Sequence, residues 1–244
     1  MVTHAFYVPE SRCEVGANVR IAGDQAHHAA RVLRVAEGMH AVVRDGRGTV
    51  ASCVVTSVSK DRSSGEWMVE ARVEAMTRRP SMSPAVHVVA ACPKGDRLAE
   101  MVEGLSQAGA SSFTPLVAER SVVDPGGAKL ERLRRIASES LKQCRRDWVM
   151  DVNEPVGLEA ALQRAAAAGW RVLVADATGK RAAPIDCDTA LLVGPEGGWS
   201  ERERSEFAAR GLPLVGFGPH VMRIETAAVV GAAMIHPIDQ APPV

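Results

Sequence analysis

Short apolar runs separated by turn residues fill the first third of the chain. Ala41-Val-Val-Arg-Asp45, Thr49-Val-Ala-Ser-Cys-Val-Val-Thr56 and Glu66-Trp-Met-Val-Glu-Ala-Arg-Val73 read as strands, with Gly46-Arg-Gly48 as the turn between the first two. One short helix interrupts them, because Asp24 stands where a cap would and Ala29, Val32 and Leu33 share a helical face. A compact barrel is the simplest closure. Thr77-Arg-Arg-Pro-Ser-Met-Ser-Pro84 has two prolines and no apolar period, which marks a linker. The pattern predicts a β-barrel domain over residues 1–74, a linker over 75–84 and a second domain over 85–244.

From Ala85 onward strands and helices alternate, the signature of an α/β fold. Val86-His-Val-Val-Ala-Ala91 precedes a helix with Leu98, Met101, Val102 and Leu105 at i, i+3, i+4, i+7 spacing. A strand over 112–117 and a helix carrying Leu130, Leu133, Ile136, Ala137 and Leu141 on one face follow, then a helix near 157–168. Strands over 171–175, 189–193 and 213–217 are apolar throughout, as suits a parallel sheet covered on both faces. A last helix, roughly 226–235, is small and apolar all round and is expected to be buried.

Charge changes this picture little. The 29 basic and 29 acidic residues cancel, so a nucleic-acid partner would need a local basic face. One candidate is the helix with Lys129, Arg132, Arg134, Arg135, Lys142, Arg145 and Arg146, an excess of four positive charges over Glu131, Glu139 and Asp147. A solvated helix face is the competing reading. The five cysteines are about forty or more residues apart, a spacing suited to neither zinc nor redox motifs and consistent with a reducing cytosol. With no export signal or apolar span in view, the expected setting is cytoplasmic, with neither membrane nor metal as a partner.

The candidate chemistry lies in two glycine-rich loops. Gly194-Pro-Glu-Gly-Gly-Trp-Ser200 runs into a helix whose start carries an S-x-x-E capping box, Ser200 with Glu203. Its glycines leave bare backbone at the carboxyl end of a buried strand, either a ligand-binding loop or a tight structural turn. Gly216-Phe-Gly-Pro-His-Val-Met-Arg-Ile-Glu-Thr-Ala227 places Arg223 and Glu225 beside an apolar surface, as a functional pair or as an ion pair that orders the loop. Gly216-x-Gly218-x-x-Val221 lacks the third glycine of a dinucleotide fingerprint, and Thr178-Gly-Lys-Arg181 lacks the spacing of a P-loop and reads as a solvated loop.

Leu191-Leu-Val-Gly-Pro-Glu-Gly-Gly198 and Gly218-Pro-His-Val-Met-Arg-Ile-Glu-Thr-Ala227 resemble the two signature loops of the RsmE-type ribosomal RNA methyltransferases. The likeness extends to His28-Ala-Ala-Arg-Val-Leu-Arg34 with Gly38, Lys94-Gly-Asp-Arg97, Glu119-Arg-Ser121 and Gln143-Cys144 with Arg146. It implies a PUA-like barrel followed by a SPOUT domain with a C-terminal trefoil knot, working as a homodimer. It further implies that S-adenosylmethionine (AdoMet) is held by Gly194, Glu196, Gly197, Gly198, Leu214, Val215, Gly216, Gly218, Val221, Met222, Arg223, Thr226 and Ala227. RNA contacts are implied for His28, Arg31, Arg34, Lys94, Arg97, Arg120, Lys142, Arg145 and Arg146. The implied substrate is a uridine of 16S ribosomal RNA in the small subunit, methylated at N3.

For that reaction N3 must lose its proton, so Arg223 is expected to steady charge on the uracil oxygens. Glu225 is expected either to assist proton removal or to fix Arg223 and the loop. The chain departs from the family pattern at Ala5, Gly104, Lys142, Arg145, His220 and Ile224, positions that concern RNA more than cofactor. Rival readings are a non-catalytic RNA-binding or ribosome-assembly factor and a SPOUT methyltransferase acting on another RNA.

Overall fold

The computed structural model describes residues 4–9, 11, 13–123 and 125–237. It divides into two units, Met1–Ser81 with Leu141–Val149 and Met82–Ser140 with Met150–Val244. In the first unit β1 (His4–Tyr7), β2 (Asn18–Ile21), β3 (His40–Arg44), β4 (Thr49–Lys60) and β5 (Trp67–Arg78) form one sheet in the order β1-β3-β4-β5-β2. Alternate residues of β4 (Ala51, Cys53, Val55) and β5 (Val69, Ala71, Val73) are buried, as the two-residue period of a strand requires. Register shifts at Ser52/Cys53 and Val55/Ser57 let this long pair twist. Among the described residues β1 and β2 end the hydrogen-bonded path, so the sheet is not closed into the expected barrel between them.

Helix α1 (Gly23–Arg31) buries Ala26 and Ala29. The expected cap at Asp24 is not made: the cap position is Ala22, without a side-chain bond, and Asp24 lies in the first turn. The helix stops at Arg31, which swings Val32 off the buried face to 63% exposure. Two boundaries also differ from expectation. β5 runs through Arg78, into the expected linker, and residues 141–149 return to the first unit. There Asp147 pairs with Arg44 at 3.0 Å and Arg79 at 3.3 Å, and the Trp148 indole N–H donates to the Arg79 carbonyl at 3.0 Å. Gly48, with φ of +93°, makes room: a Cβ there would stand 2.4 Å from the Arg79 carbonyl and 2.7 Å from the Trp148 indole nitrogen.

The second unit alternates β6 (Val86–Ala91), α2 (Arg97–Gln107), β7 (Ser112–Val117), α3 (Gly127–Cys144, whose residues from Leu141 on count with the first unit), β8 (Asp151–Val152), β9 (Val156–Gly157) and α4 (Leu158–Ala167). It continues with β10 (Arg171–Arg181), β11 (Thr189–Val193), α5 (Glu201–Ala209), β12 (Leu214–Gly216) and α6 (Ile224–Ile235). The sheet is parallel throughout, in the order β12-β10-β11-β6-β7-β8 with β9 also on β7. Val88, Ala90 and Leu191 pack with Met101 of α2, Leu130 of α3 and Ala228 of α6. Val89, Leu192 and Val174 pack with Leu162 of α4 and Phe207 of α5. Successive residues of one strand thus feed opposite layers, which is why these runs are apolar without alternation.

Two local expectations need correction. Thr178–Arg181 is not a solvated loop, because β10 continues through it after a bulge and pairs Lys180 and Arg181 with Val215 and Gly216. α6 is not buried all round: Ile224, Ala228, Gly231, Ala232 and Ile235 face inward, while Thr226 and Ala233 are exposed. Gly231 allows α6 to press on the sheet, since a Cβ there would meet the Phe217 ring at 2.7 Å and Leu191 at 2.9 Å. Among the described residues no helix is long and apolar enough to cross a membrane, and no group of three or more metal-ligating side chains occurs.

Candidate active site

The loops after β11 and β12 open at the carboxyl ends of their strands, where open α/β sheets place ligands. With the end of β10 they enclose a cleft of about 530 Å³. Its floor is Trp199, 4% exposed, whose indole N–H donates to the Ala175 carbonyl at 3.2 Å and whose ring meets Phe207 edge-on at 4.9 Å. A Cβ on Gly194 would stand 2.8 Å from this ring, so the loop can lie on it only with glycine there. Gly198 holds φ of +70° and donates to the Pro195 carbonyl at 2.8 Å. The loop is therefore a tight turn and a cleft wall at once. It leads into α5 through the expected capping box, with Ser200 and the buried Glu203 exchanging both bonds.

The other wall comes from 216–224, where Gly218 tolerates the Met222 methyl 2.9 Å from the place of a Cβ. Arg223 caps α6 without a side-chain bond and lines the cleft, and among the described residues no carboxylate pairs with it. Asp176, at the end of the apolar part of β10, has a side chain only 6% exposed and pairs with Arg204 at 2.9 Å. Burial works to raise its pKa, but hydrogen bonds from Thr178 and the Arg204 charge outweigh it, so the carboxyl sits below the usual range. Such a group contributes stability above its unfolded pKa of about 3.9, and loses it as pH falls through the depressed folded value. Asp176→Asn should thus be less stable than the parent at neutral pH, with a gap that closes below about pH 4. Urea midpoints from pH 7 to pH 3 measure it; a constant gap would contradict the assignment.

Of the residues expected at the cofactor, Gly194, Glu196, Gly198, Gly216, Gly218, Val221, Met222, Arg223 and Ala227 line the cleft. Gly197, Leu214, Val215 and Thr226 are not among its lining residues: Gly197 faces Arg120, Leu214 and Val215 pack into the two cores, and Thr226 is exposed on α6. Glu225 is also outside the lining, and its ion pair runs to Arg97 at 3.5 Å rather than to Arg223. Asp176, Trp199, Arg204 and His220 line the cleft without having been expected there. An acidic residue directly after an apolar strand was the available sign for Asp176; nothing local marked Arg204.

The residues expected at RNA separate by what they touch. His28, Arg31 and Arg34 are exposed at and beyond the end of α1, and Lys94 and Arg145 are exposed elsewhere. Lys142 is half-buried, and Arg146 donates to the Trp148 carbonyl at 3.0 Å. Arg97 binds the Glu196 carboxylate at 2.9 Å, and Arg120 donates to the Gly197 carbonyl at 2.9 Å. Arg34 and Arg145 adopt left-handed backbone, φ of +53° and +58°.

The chain matches the RNA methyltransferase domain family over residues 80–236 and the RNA methyltransferase PUA domain family over residues 21–66. It is 34% identical over 248 residues to the ribosomal RNA small subunit methyltransferase E of Mycobacterium tuberculosis, covering 96% of this chain and 92% of that one. A Legionella pneumophila protein described as a methyltransferase, in complex with bound cofactor SAM, aligns with a TM-score of 0.79 at 25% identity over 96% of both chains. The fold is also that of ribosomal RNA small subunit methyltransferase E from Neisseria gonorrhoeae bound to S-adenosyl methionine, with a TM-score of 0.80, 24% identity, and 95% and 96% of the two chains covered. With a PUA region ahead of a parallel α/β domain, and a relative matching nearly end to end, the chain belongs to the ribosomal RNA small subunit methyltransferase E family of RNA methyltransferases.

Proposed function

We propose that this protein uses AdoMet to methylate N3 of a uridine in the 16S ribosomal RNA of the small subunit. The observation that carries this reading is the cleft built from the two glycine-rich loops, with Arg223 at its wall and no carboxylate neutralising it among the described residues. The cleft suits such a cofactor: its volume of about 530 Å³ is that of a small-molecule site, and Gly194 and Gly218 keep clear the space a Cβ would fill. When bound, the cofactor supplies a methyl group already activated by its sulfonium.

The residues must then orient the uracil and favour its anion. N3 gives its proton to water and gains the methyl group as the sulfonium leaves as a neutral thioether, and the charge that develops on the flanking oxygens is met by the Arg223 guanidinium. Glu225 fixes the loop, and Arg97 is the partner through which it does so. Family membership supports the rest of the reading: a C-terminal trefoil knot, a homodimer whose partner subunit completes the RNA site, and a cytoplasmic location.

The test is methyl transfer from labelled AdoMet to small subunits lacking the modification, followed by nucleoside analysis. The expected product is 3-methyluridine. A different methylated nucleoside, or acceptance only by another RNA, would favour a SPOUT enzyme of different specificity. AdoMet binding with no acceptor would favour a ribosome-assembly factor.

Arg34 offers a test on the RNA side. Its left-handed backbone costs an arginine roughly 1 kcal/mol that glycine does not incur. Arg34→Gly should be more stable than Arg34→Ala by up to about 1 kcal/mol, while both weaken RNA binding equally and lower the salt slope by about 1. Thermal melts and RNA titrations at several salt concentrations check this. RNA affinity unchanged in both variants would remove Arg34 from the interface.

A further inference from the structure

We propose that Arg97 and Arg120 are positioning residues that brace the 194–199 loop from two sides, and that their contribution is the geometry of the cofactor cleft rather than contact with RNA. This rests on the reading of the cleft as the AdoMet site. Arg97 opens α2, Glu196 belongs to the loop after β11, and Glu225 is the second residue of α6. One guanidinium nitrogen of Arg97 lies 2.9 Å from Glu196 Oε1 and 3.5 Å from Glu225 Oε1, so it joins three segments that are far apart in the chain. The Glu225 side chain is 14% exposed, and its other oxygen, Oε2, is buried without a hydrogen-bond partner. Arg97 is thus the cation that makes a largely buried carboxylate tolerable; without it, α6 must shift or Glu225 must turn toward water.

Arg120 acts on the same loop from the turn after β7. Its guanidinium donates to the Gly197 carbonyl at 2.9 Å and the Trp199 carbonyl at 3.4 Å, and its Cβ and Cδ lie 3.5 Å from where a Gly197 Cβ would stand. The neighbouring Glu119 amide donates to Glu203 Oε1 at 3.0 Å, so this turn is also tied to the cap of α5. Both arginines already have acceptors. Around Arg97 two carboxylates outnumber one cation, a local balance that repels a phosphate. Lys94, three residues earlier and exposed, is the natural contrast.

The test compares Arg97→Ala, Arg97→Lys, Arg120→Ala and Lys94→Ala in the full chain. AdoMet and S-adenosylhomocysteine affinities are measured by calorimetry, RNA affinity by titration, and AdoMet KM and kcat separately. Loss of a charge-assisted bond predicts that Arg97→Ala and Arg120→Ala each raise the AdoMet Kd and KM about tenfold or more. RNA affinity should change less than about twofold, and Arg97→Lys should recover part of the loss, because an ammonium keeps the charge but not the planar fork. A tenfold loss of RNA affinity with AdoMet binding unchanged would overturn the proposal.

If the parent protein binds no AdoMet, the functional reading fails, and the brace is then read from hydrogen exchange at the amides of 196–199 and 224–226. Faster exchange there in Arg97→Ala, with the rest of the sheet protected, supports the brace; unchanged exchange refutes it. Should Arg97→Ala not fold, Arg120→Ala decides, because it removes only bonds to loop carbonyls.

Discussion

Arg223→Ala is expected to lower kcat by about 10²- to 10³-fold while AdoMet affinity stays within about threefold, because in the proposed reaction it removes a cation that would meet charge existing only as the reaction proceeds. Most cations around the cleft are already engaged: Arg97 with Glu196 and Glu225, Arg204 with Asp176, Arg120 with loop carbonyls. Arg223 stands at the wall, exposed, with no carboxylate partner among the described residues. A cation kept free of partners at a ligand cleft can answer a developing negative charge at full strength. Lysine at 223 should restore part of the rate, since it supplies charge without the guanidinium's fork. Single-turnover methylation with saturating AdoMet measures the step, and near-normal turnover in Arg223→Ala would remove this role.

Trp199→Ala should be the most damaging substitution for the second unit, at about 3–5 kcal/mol. The ring packs on Phe207, bonds to the Ala175 carbonyl and supports Gly194 from below, so its loss opens a cavity and frees a carbonyl at the same place. Trp199→Phe should cost much less, because it keeps most of the packing and forfeits mainly the N–H. Urea denaturation followed by hydrogen exchange in each unit separates this effect from the first unit, which should unfold as in the parent. A loss below about 1 kcal/mol would mean that the loop and Phe207 collapse into the space. AdoMet affinity should fall with stability, since the floor of the cleft and the support of its core are one side chain.

The two loops were legible because their signals are short-range. A capping box reads over four residues, and Ser200 and Glu203 make it as expected. Gly194 and Gly198 declare bare backbone after an apolar run, and the cleft forms there. Where a local signal met a competitor it failed. Asp24 does not cap α1, and Thr178-Gly-Lys-Arg181, with no apolar residue to announce a strand, still pairs with β12 beyond a bulge. Gly179 is part of the cause: a Cβ there would stand 2.5 Å from the Val215 amide nitrogen, a close approach that only the neighbouring strand explains.

The sequence by itself determined the order of elements, the division into a β-rich part and a parallel α/β part, and the positions of the two glycine-rich loops that line the cleft. All of these follow from periodicity and turn chemistry within a dozen residues. Only the tertiary structure decided which long side chains meet. Residues 141–149 return to the first unit because Asp147 finds Arg44 and Arg79 and Trp148 finds a carbonyl left clear by Gly48. Arg97 and Arg120, which read as cations for RNA, meet Glu196, Glu225 and the carbonyls of Gly197 and Trp199 because distant segments bring those groups beside them. A charged side chain reaches several ångströms in any direction, so its partner is set by the packing of distant segments and not by its neighbours in the chain.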